Sequence, residues 1–266
     1  MNDCLKLAQK LAKKAGKIQL DNLKKHHTIE FKGAINLVTE VDKACERLIV
    51  DSIRKKFPDH DILAEEGSGH ERGADYKWII DPLDGTVNYA HNFPFFGVSI
   101  ALEFKGELVM GVIYDPIRRE LFHAVKGNGA FLNSKRIHVS DRKPLKNAML
   151  GTGFAYNVQE EDQLDNIDNF RNFIKTARAV RRPGAASIDF AYVACGRLDG
   201  FWELFLKSWD MAAGVVIIRE AGGTVTSFDG SAYDLYGTEI LCSNGLIHGE
   251  MITILVNSKL QIPNNK

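Results

Sequence analysis

Trp78-Ile-Ile-Asp-Pro-Leu-Asp-Gly-Thr86 is the stretch around which the rest of the 266-residue chain is arranged. Its first three residues are apolar, as in a buried strand, and Pro82 predicts that this strand ends at Asp81. Because Pro82 stiffens the turn that follows, Asp81 and Asp84 can point at the same position. Gly85 begins what resembles the first turn of a helix, whose free backbone N–H groups attract an anion.

Two carboxylates in one stiff turn repel each other. At about 4 Å, with an effective dielectric constant near 20, the repulsion is about 4 kcal/mol. Either one carboxylate takes up a proton or a cation lies between them. Because the donors are oxygen atoms, we expect Mg²⁺, which also leaves coordination positions for a phosphate. The same letters fit an ordinary surface turn, since Asp, Pro and Gly are all turn formers.

The composition excludes several classes of function. Apolar residues make up 45% and charged residues 26% of the chain, as in an ordinary soluble domain. Lys plus Arg equals Asp plus Glu at 34 each, so direct binding to nucleic acid or to a membrane is not expected. The N-terminus has no signal-peptide pattern, and the 4 cysteines show no metal-type spacing, which together predict a cytoplasmic protein.

Periodicity in the first part of the chain predicts helices and one short strand. Apolar residues at three- and four-residue steps predict amphipathic helices over 5–18 and 41–53. A strand over 61–64 should end at the pair Glu65-Glu66, the same placement as that of Asp81. The glycine-rich stretch 67–73 is typical of a mobile loop or lid.

The remainder predicts two lobes of an α/β protein. Three strands at 95–102, 107–114 and 120–125 favour an antiparallel sheet. Strands and helices alternate after it, which indicates a layered α/β arrangement. The polar, proline-broken stretch 141–146 predicts the boundary between an N-terminal lobe, 1–140, and a C-terminal lobe, 141–266. In the second lobe, Ser208 is placed to cap the helix over 209–221.

Four acidic motifs lie in a fixed order along the chain. They are Gly-Ala-Ile-Asn-Leu-Val-Thr-Glu-Val-Asp (33–42), Ala-Glu-Glu-Gly (64–67), Trp-Ile-Ile-Asp-Pro-Leu-Asp-Gly-Thr-Val-Asn (78–88) and Trp-Asp-Met-Ala-Ala-Gly (209–214). In this order they resemble the inositol monophosphatase family, and the resemblance covers essentially the whole chain. It implies a five-layered αβαβα sandwich of the sugar phosphatase type, usually a homodimer, that hydrolyses phosphate monoesters with Mg²⁺.

The resemblance also implies the metal ligands. Glu65, Asp81 and the Leu83 carbonyl oxygen would hold one ion, and Asp81, Asp84 and Asp210 would hold a second. Asp81 would then bridge the two ions. Two or three Mg²⁺ ions per site are implied, with Mn²⁺ as a substitute, because two metals stabilise the entering and the leaving oxygen of a phosphoryl transfer together.

Catalytic roles follow from the same resemblance. Asp42 and Thr86 would orient and deprotonate the attacking water, and Glu66 would take part as a further acid. Taken alone, Asp42 also fits an acid in the first turn of a helix, where the helix dipole favours negative charge.

Substrate contacts are implied at two places. The Gly85 and Thr86 amides would hold the phosphate. Gly184, Ala186 and Glu203 would face the hydroxyl groups of the alcohol, with Glu203 as an acceptor. Glu203 also fits an exposed strand residue. The chain departs from the family at Ala185, where Ser or Thr is common, and before Trp209, where proline is common.

Three hypotheses follow for the function. The first is an inositol-1-monophosphatase that acts on a small phosphorylated polyol. The second is a phosphatase of the same fold that acts on fructose 1,6-bisphosphate, NADP or another sugar phosphate. The third, of a different class, is a regulatory binding protein in transcription or ribosome biogenesis.

Overall fold

The computed structural model describes residues 1–25, 29–32, 36–155 and 165–260. The helices are α1 (Asn2–Asn22), α2 (Glu40–Lys56), α3 (Thr86–Ala90), α4 (Ile167–Thr176), α5 (Ala186–Ala194), α6 (Ser208–Glu220) and α7 (His248–Leu260). The strands are β1 (Ile29–Lys32), β2 (Asn36–Thr39), β3 (Asp61–Ala64), β4 (Tyr76–Asp84), β5 (Gly97–Phe104), β6 (Glu107–Asp115), β7 (Glu120–Val125), β8 (Ala130–Leu132), β9 (Lys135–Ile137), β10 (Met149–Thr152), β11 (Ala179–Arg181), β12 (Gly200–Leu204), β13 (Thr224–Thr226) and β14 (Glu239–Ser243).

Two large sheets form the frame of the molecule. The first has seven strands in the order β3-β4-β5-β6-β7-β8-β9, and all neighbours are antiparallel except β3 and β4. The second has five strands in the order β11-β10-β12-β14-β13, with β10 parallel to both of its neighbours. A two-stranded ribbon of β1 and β2 precedes α2. The predicted antiparallel sheet is therefore confirmed.

Helices cover both sheets and separate them. α1 and α2 pack on the outer face of the seven-stranded sheet. α5 and α6 lie between the two sheets, and α4 and α7 cover the outer face of the five-stranded sheet. The order of layers is helix, sheet, helix, sheet, helix, which confirms the predicted five-layered αβαβα sandwich.

Strand β4 is apolar along its length because both of its faces are buried. Trp78 and Ile80 point into the core beneath α1 and α2, whereas Ile79 points into the core that contains α5 and α6. A strand that faces two cores shows a continuous apolar run instead of alternation. This strand therefore ends inside the molecule, and the polar residues that follow it are buried as well.

Helix α6 is buried almost all round, since its apolar residues face both sheets and α5. Its close approach to α5 depends on Gly214, where a Cβ atom would lie 2.5 Å from the Cβ of Phe190. Such a contact is too short for any side chain, so only glycine fits there. α6 is therefore fixed in position by the packing on both sides.

Two sequence-based expectations at the ends of elements were wrong. β4 does not stop at Asp81 but runs to Asp84, with a shift of register against β5 between these residues. Pro82 is tolerated because it lies in that irregular stretch, where its missing N–H breaks no regular ladder. Ser208 does not cap α6. It is the first helical residue, and Lys207 occupies the capping position.

The loop predicted to be a lid is held by hydrogen bonds at both ends. Glu46 accepts from Ser68, and the Asp61 carboxylate accepts the backbone N–H groups of Arg72, Gly73 and Ala74, each at 2.9 Å. Its middle pairs with β3 through a bridge to Ile62. The loop is thus anchored against the rim of the sheet.

The predicted boundary at 141–146 lies between the last strand of the first sheet and the first strand of the second. α5 and α6 come after this stretch, yet they pack against both sheets. The division into lobes 1–140 and 141–266 stays a prediction. Within the described ranges, no helix has the length and apolar character needed to cross a membrane.

Candidate active site

A cavity of about 540 Å³ opens where β4, α3, α5, α6 and β12 meet. The end of β4 forms its floor, and the first turns of α5 and α6 form its walls. Its lining includes Glu65, Asp81, Leu83, Asp84, Gly85, Thr86, Arg182, Gly184, Ala186, Asp189, Glu203, Lys207 and Asp210. Most of the residues that the sequence singled out therefore lie around one space.

The acids of the cavity lie largely out of water. Asp81 is 2% exposed, Asp84 8% and Glu203 7%, while Glu65 and Asp210 are half-buried. Arg182 and Lys207 are the basic residues among the described lining residues. Negative charge therefore exceeds positive charge in a space with little water, which is the electrostatic condition for binding cations.

Backbone groups hold three of these carboxylates in place. Asp81 Oδ1 accepts the N–H of Leu83 at 2.9 Å. Asp84 Oδ2 accepts the N–H and the hydroxyl of Ser187, the second residue of α5, at 2.7 and 2.5 Å. Asp210 Oδ2 accepts the N–H of Lys207 at 2.7 Å, which closes the first turn of α6. These bonds fix the direction of each carboxylate at the cavity.

Burial raises the pKa of all three carboxyl groups. For Asp81 the further causes are the charges of Glu65, Asp84 and Asp210, which raise its pKa well above the ordinary value. Burial raises the pKa of Asp84 to about 6, against the hydrogen bonds from Ser187. Burial and the charge of Asp84 raise the pKa of Asp210 to about 7, and Asp210 also lies within hydrogen-bonding reach of Asp81. The acids thus share one electrostatic environment.

The donor set fits Mg²⁺. All the candidate donors are carboxylate or carbonyl oxygens, and no described lining residue is His or Cys. Asp81 and Asp210 approach each other within hydrogen-bonding reach. Among the described residues, no three His, Cys, Asp or Glu side chains are close enough together to hold a metal ion as they stand.

Asp42 and Thr86 meet although 44 positions separate them in the sequence. The Thr86 hydroxyl lies 3.1 Å from Asp42 Oδ1 and 3.1 Å from the Leu83 carbonyl oxygen. Asp42 is buried in the first turn of α2, and Thr86 is the first residue of α3. The pair predicted to orient water therefore exists as a contact, with Thr86 in the lining of the cavity and Asp42 outside that described lining.

The two glutamates after β3 have different positions. Glu65 lines the cavity, and its backbone N–H bonds to the carbonyl of Ile80 at 3.2 Å, next to Asp81. Glu66 is absent from the described lining of the cavity, and its backbone N–H donates to Glu46 Oε2 at 2.7 Å. The structure therefore brings Glu65 to the acids, whereas the catalytic part of Glu66 stays a prediction.

The residues predicted to bind substrate all belong to the lining of the cavity. Gly85 adopts φ +88° between β4 and α3, and Gly184 adopts φ +92° before α5. Ala186 begins α5, and its backbone N–H is directed at Asp84. Glu203 is a buried residue of β12, so its interpretation as an exposed strand residue was wrong. Burial and the charges of Asp210 and Asp84 raise the pKa of Glu203 well above the ordinary value.

Sequence reasoning missed three residues of the site. Ser187 holds Asp84, Arg182 lines the cavity near Glu203, and Asp189 lines it from the fourth position of α5. Asp189 had a detectable signal, because it is the one acid in the apolar run Ala-Ser-Ile-Asp-Phe-Ala-Tyr-Val-Ala. Ser187 and Arg182 had no signal of that kind.

Comparison with known proteins identifies a family and a named relative. The sequence pattern of the inositol monophosphatase family matches residues 1–260. A protein from Pseudomonas aeruginosa named Nus factor SuhB is 45% identical over 261 residues, which cover 96% of this chain and 96% of that protein.

Solved structures show the same arrangement. An inositol monophosphatase from Anabaena (Nostoc) sp. superposes with a TM-score of 0.87 at 40% identity, covering 96% of each chain. An IMPase/NADP phosphatase complexed with Mg²⁺ and phosphate superposes with a TM-score of 0.84 at 26% identity, covering 95% of each chain.

Proposed function

Because the chain belongs to the inositol monophosphatase family and is a phosphatase of that family, we propose that it hydrolyses myo-inositol 1-phosphate with Mg²⁺. The products would be myo-inositol and phosphate. The observation that supports this proposal most directly is the convergence of Glu65, Asp81, Asp84 and Asp210 on one buried cavity. These acids come from β4, α6 and the end of β3, so no local turn accounts for their meeting.

The proposed metal ligands are the four acids together with the Leu83 carbonyl oxygen. Bound Mg²⁺ would neutralise the charge that develops on the phosphoryl group, and two or three ions per site are proposed. A structurally similar phosphatase has been solved with Mg²⁺ and phosphate, which supports the choice of ion. In this chain the acids would fix where the phosphate lies, and Asp81 would be a ligand in both of the metal sites named above.

Water would be oriented by the contact between Thr86 and Asp42. The Thr86 hydroxyl donates toward the Asp42 carboxylate, so its oxygen can accept a hydrogen from water. The buried carboxylate can then receive the proton through the hydroxyl. The Gly85 and Thr86 amides, at the start of α3, would hold the phosphate in line with that water.

A test of the function uses Asp84→Asn with a matched control. We expect loss of hydrolysis by at least about 100-fold, because a metal ligand is weakened and the transition-state charge is less well stabilised. The control is Asp199→Asn, since Asp199 is also buried but lies outside the described lining of the cavity and bonds to Ser140, Arg142 and Met149. Calorimetry that detects no Mg²⁺ or Mn²⁺ uptake by the wild type, with phosphate present, would refute the proposal.

The choice among substrates is tested by a panel. Wild-type protein would be assayed with myo-inositol 1-phosphate, fructose 1,6-bisphosphate and NADP under one metal concentration. We expect the highest kcat/KM for the inositol phosphate. Fast cleavage of fructose 1,6-bisphosphate or NADP with no release from inositol phosphate would replace the first hypothesis by the second.

A function of a different class deserves a parallel test because one similar protein is named a Nus factor. Under this alternative the chain acts as a regulatory partner in transcription or ribosome biogenesis. A cellular phenotype of a deletion strain would be complemented with wild type or with Asp84→Asn. Full rescue by the inactive variant favours the regulatory role, and no rescue favours catalysis.

We also propose that the chain forms a homodimer, as members of the family that it resembles usually do. Light scattering on the eluting peak of a size-exclusion column measures the mass directly. A mass near that of one chain, 29.7 kDa, would contradict the dimer.

A further inference from the structure

Asp189 is a buried acid for which the proposed reaction gives no role. It lies in α5 and lines the cavity, and the charges of Glu203, Asp84 and Arg182 act on it. Its side chain is 1% exposed. Every other residue of α5 except Ser187 is apolar, so an acid here is costly unless something binds it.

One oxygen of the Asp189 carboxyl, Oδ1, is buried and has no hydrogen-bond partner among the described residues. Asp199 shows the contrast, since it is 0% exposed and accepts bonds from the Ser140 hydroxyl, the Arg142 guanidinium and the Met149 N–H. A buried acceptor left unsatisfied destabilises the fold, so an acid kept at this position in the lining of the cavity needs a role that offsets that cost.

Glu203 forms the other half of the same end of the cavity. It lies on β12, opposite α5, and it acts electrostatically on Asp189 more strongly than Asp84 does. Its carboxylate lies flat against Gly153, where a Cβ atom would be 2.2 Å from both carboxylate oxygens. Gly153 therefore leaves just enough room for this acid beside Asp189.

The charges that face Asp189 come from all sides of the cavity. They are Glu203 from β12, Asp84 from β4 and Arg182 from the segment before α5. Two acids and one nearby base leave no net attraction for a second anionic group. A neutral group with several hydroxyls suits this end, because each hydroxyl can donate to a carboxylate and accept from a protonated one.

We propose that Asp189 is a substrate-binding residue that, together with Glu203, forms a two-carboxyl subsite for neighbouring hydroxyl groups of the substrate's alcohol. This inference rests on the proposed phosphatase function and narrows its substrate class. It favours neutral, polyhydroxylated alcohols such as cyclic polyols. It disfavours a substrate that places a second phosphate at this end, because that phosphate would face two acids.

The test removes the Asp189 carboxyl and single hydroxyl groups of the substrate, first separately and then together. Wild type, Asp189→Asn and Asp189→Ala would be assayed with myo-inositol 1-phosphate, with its single-deoxy analogues and with 4-nitrophenyl phosphate. In the wild type, we expect removal of one particular hydroxyl to lower kcat/KM about tenfold or more, since a buried acceptor is then left unpaired. In Asp189→Ala the same removal should lower kcat/KM by less than about threefold, because the hydroxyl has already lost its carboxyl partner.

The ratio of kcat/KM for the polyol phosphate to that for 4-nitrophenyl phosphate separates binding from general damage. We expect Asp189→Ala to lower this ratio about tenfold, mainly through KM, while Asp199→Asn leaves it unchanged. If removal of each hydroxyl lowered kcat/KM by the same factor in the wild type and in Asp189→Ala, the inference would be overturned. An equal loss on both substrates would overturn it as well.

Thermal stability gives a readout that does not depend on turnover. Because Asp189 is buried without a partner on one oxygen, Asp189→Asn should melt no lower than the wild type, whereas Asp199→Asn should melt lower. A large fall in the melting temperature of Asp189→Asn would assign it a structural role. If the wild type hydrolyses none of the phosphate esters, the proposed function itself fails. Hydrolysis by the wild type with an unchanged ratio in Asp189→Ala would instead leave the proposed function standing and overturn only the role of Asp189.

Discussion

At the scale of single residues, the site depends on which of two acceptors receives the one hydrogen of the Thr86 hydroxyl. Thr86 Oγ1 lies at the same distance, 3.1 Å, from Asp42 and from the Leu83 carbonyl, but it has one hydrogen to donate. A carboxylate is the stronger acceptor. When the hydrogen points to Asp42, the Leu83 carbonyl oxygen becomes free for its proposed metal. The water and the metal positions are therefore linked through one side chain.

Thr86→Ala should lower kcat by about 100-fold or more, in the range expected for losing general base assistance. Mg²⁺ affinity should change little, because Leu83 and the acids remain. Thr86→Ser keeps the hydroxyl and should restore most of the rate. Steady-state kinetics and calorimetry check both parts. A Thr86→Ala protein that turns over at the wild-type rate would exclude the water-orienting pair.

Gly153→Ala tests the packing of Glu203. The added Cβ would lie 2.2 Å from both Glu203 carboxylate oxygens, so this side chain must move. We expect KM for the polyol phosphate to rise about tenfold, with a smaller change in kcat, because hydroxyl binding is disturbed. In a Glu203→Ala background the same substitution should have little effect. Additive effects in the double variant would show that the two residues act independently.

The residues that could be predicted are those with a repeated local signal. Asp81 and Asp84 follow the apolar run of β4, and this placement is visible in the letters, whereas the role of Asp210, in the first turn of α6, was predicted only through the family resemblance. Ser187 and Arg182 have ordinary neighbours, and their roles depend on α5 meeting β4, which is a contact across the chain. Local sequence carries no information about which distant elements come into contact.

At the scale of elements, α2 positions the end of β3. Glu46, 1% exposed, accepts hydrogen bonds from the Glu66 N–H at 2.7 Å, the Ser68 N–H at 2.9 Å and the Ser68 hydroxyl at 2.6 Å. The turn that follows Glu65 is thereby attached to a helix. Periodicity predicted α2 and β3 themselves, but it could not predict this attachment, because a buried glutamate in a helix looks like any surface acid.

Glu46→Ala should loosen that turn without changing any proposed metal ligand. We expect backbone amides of 66–70 to exchange hydrogen at least about tenfold faster, since three hydrogen bonds to one carboxylate are lost. Mg²⁺ should bind more weakly, because Glu65 is less well placed. Hydrogen-exchange mass spectrometry and calorimetry measure the two effects. Faster exchange with unaltered Mg²⁺ affinity would show that Glu65 does not depend on the turn.

At the scale of the whole molecule, a chain with net charge 0 places six of its 34 acidic residues around one cavity. The folded pKa of Asp84 is about 6 and that of Asp210 about 7, both above the ordinary 3.8. The folded state therefore holds more protons than the unfolded state between these values. Its free energy of unfolding must then fall as the pH rises through this window.

Metal-free wild type should accordingly lose more stability between about pH 5 and about pH 8 than the double variant Asp84→Asn/Asp210→Asn. We expect a difference of about 3 °C or more in the change of Tm. Histidines with lowered pKa values, such as the half-buried His123 and the buried His248, act in the opposite direction, but both proteins contain them. Thermal melts in EDTA measure the difference. Equal pH dependence in the two proteins would contradict the raised pKa values.

The burial of α6 between two sheets limits how far this protein can diverge. A surface helix accepts many substitutions on its wet side, but most of α6 has no such side: 9 of its 13 residues are buried. At Gly214 even a methyl group would collide with Phe190. A library randomised over 211–218 and selected for folded protein should return glycine at 214 and small or apolar residues elsewhere. New specificities must therefore arise on the walls of the cavity, while this helix stays nearly constant.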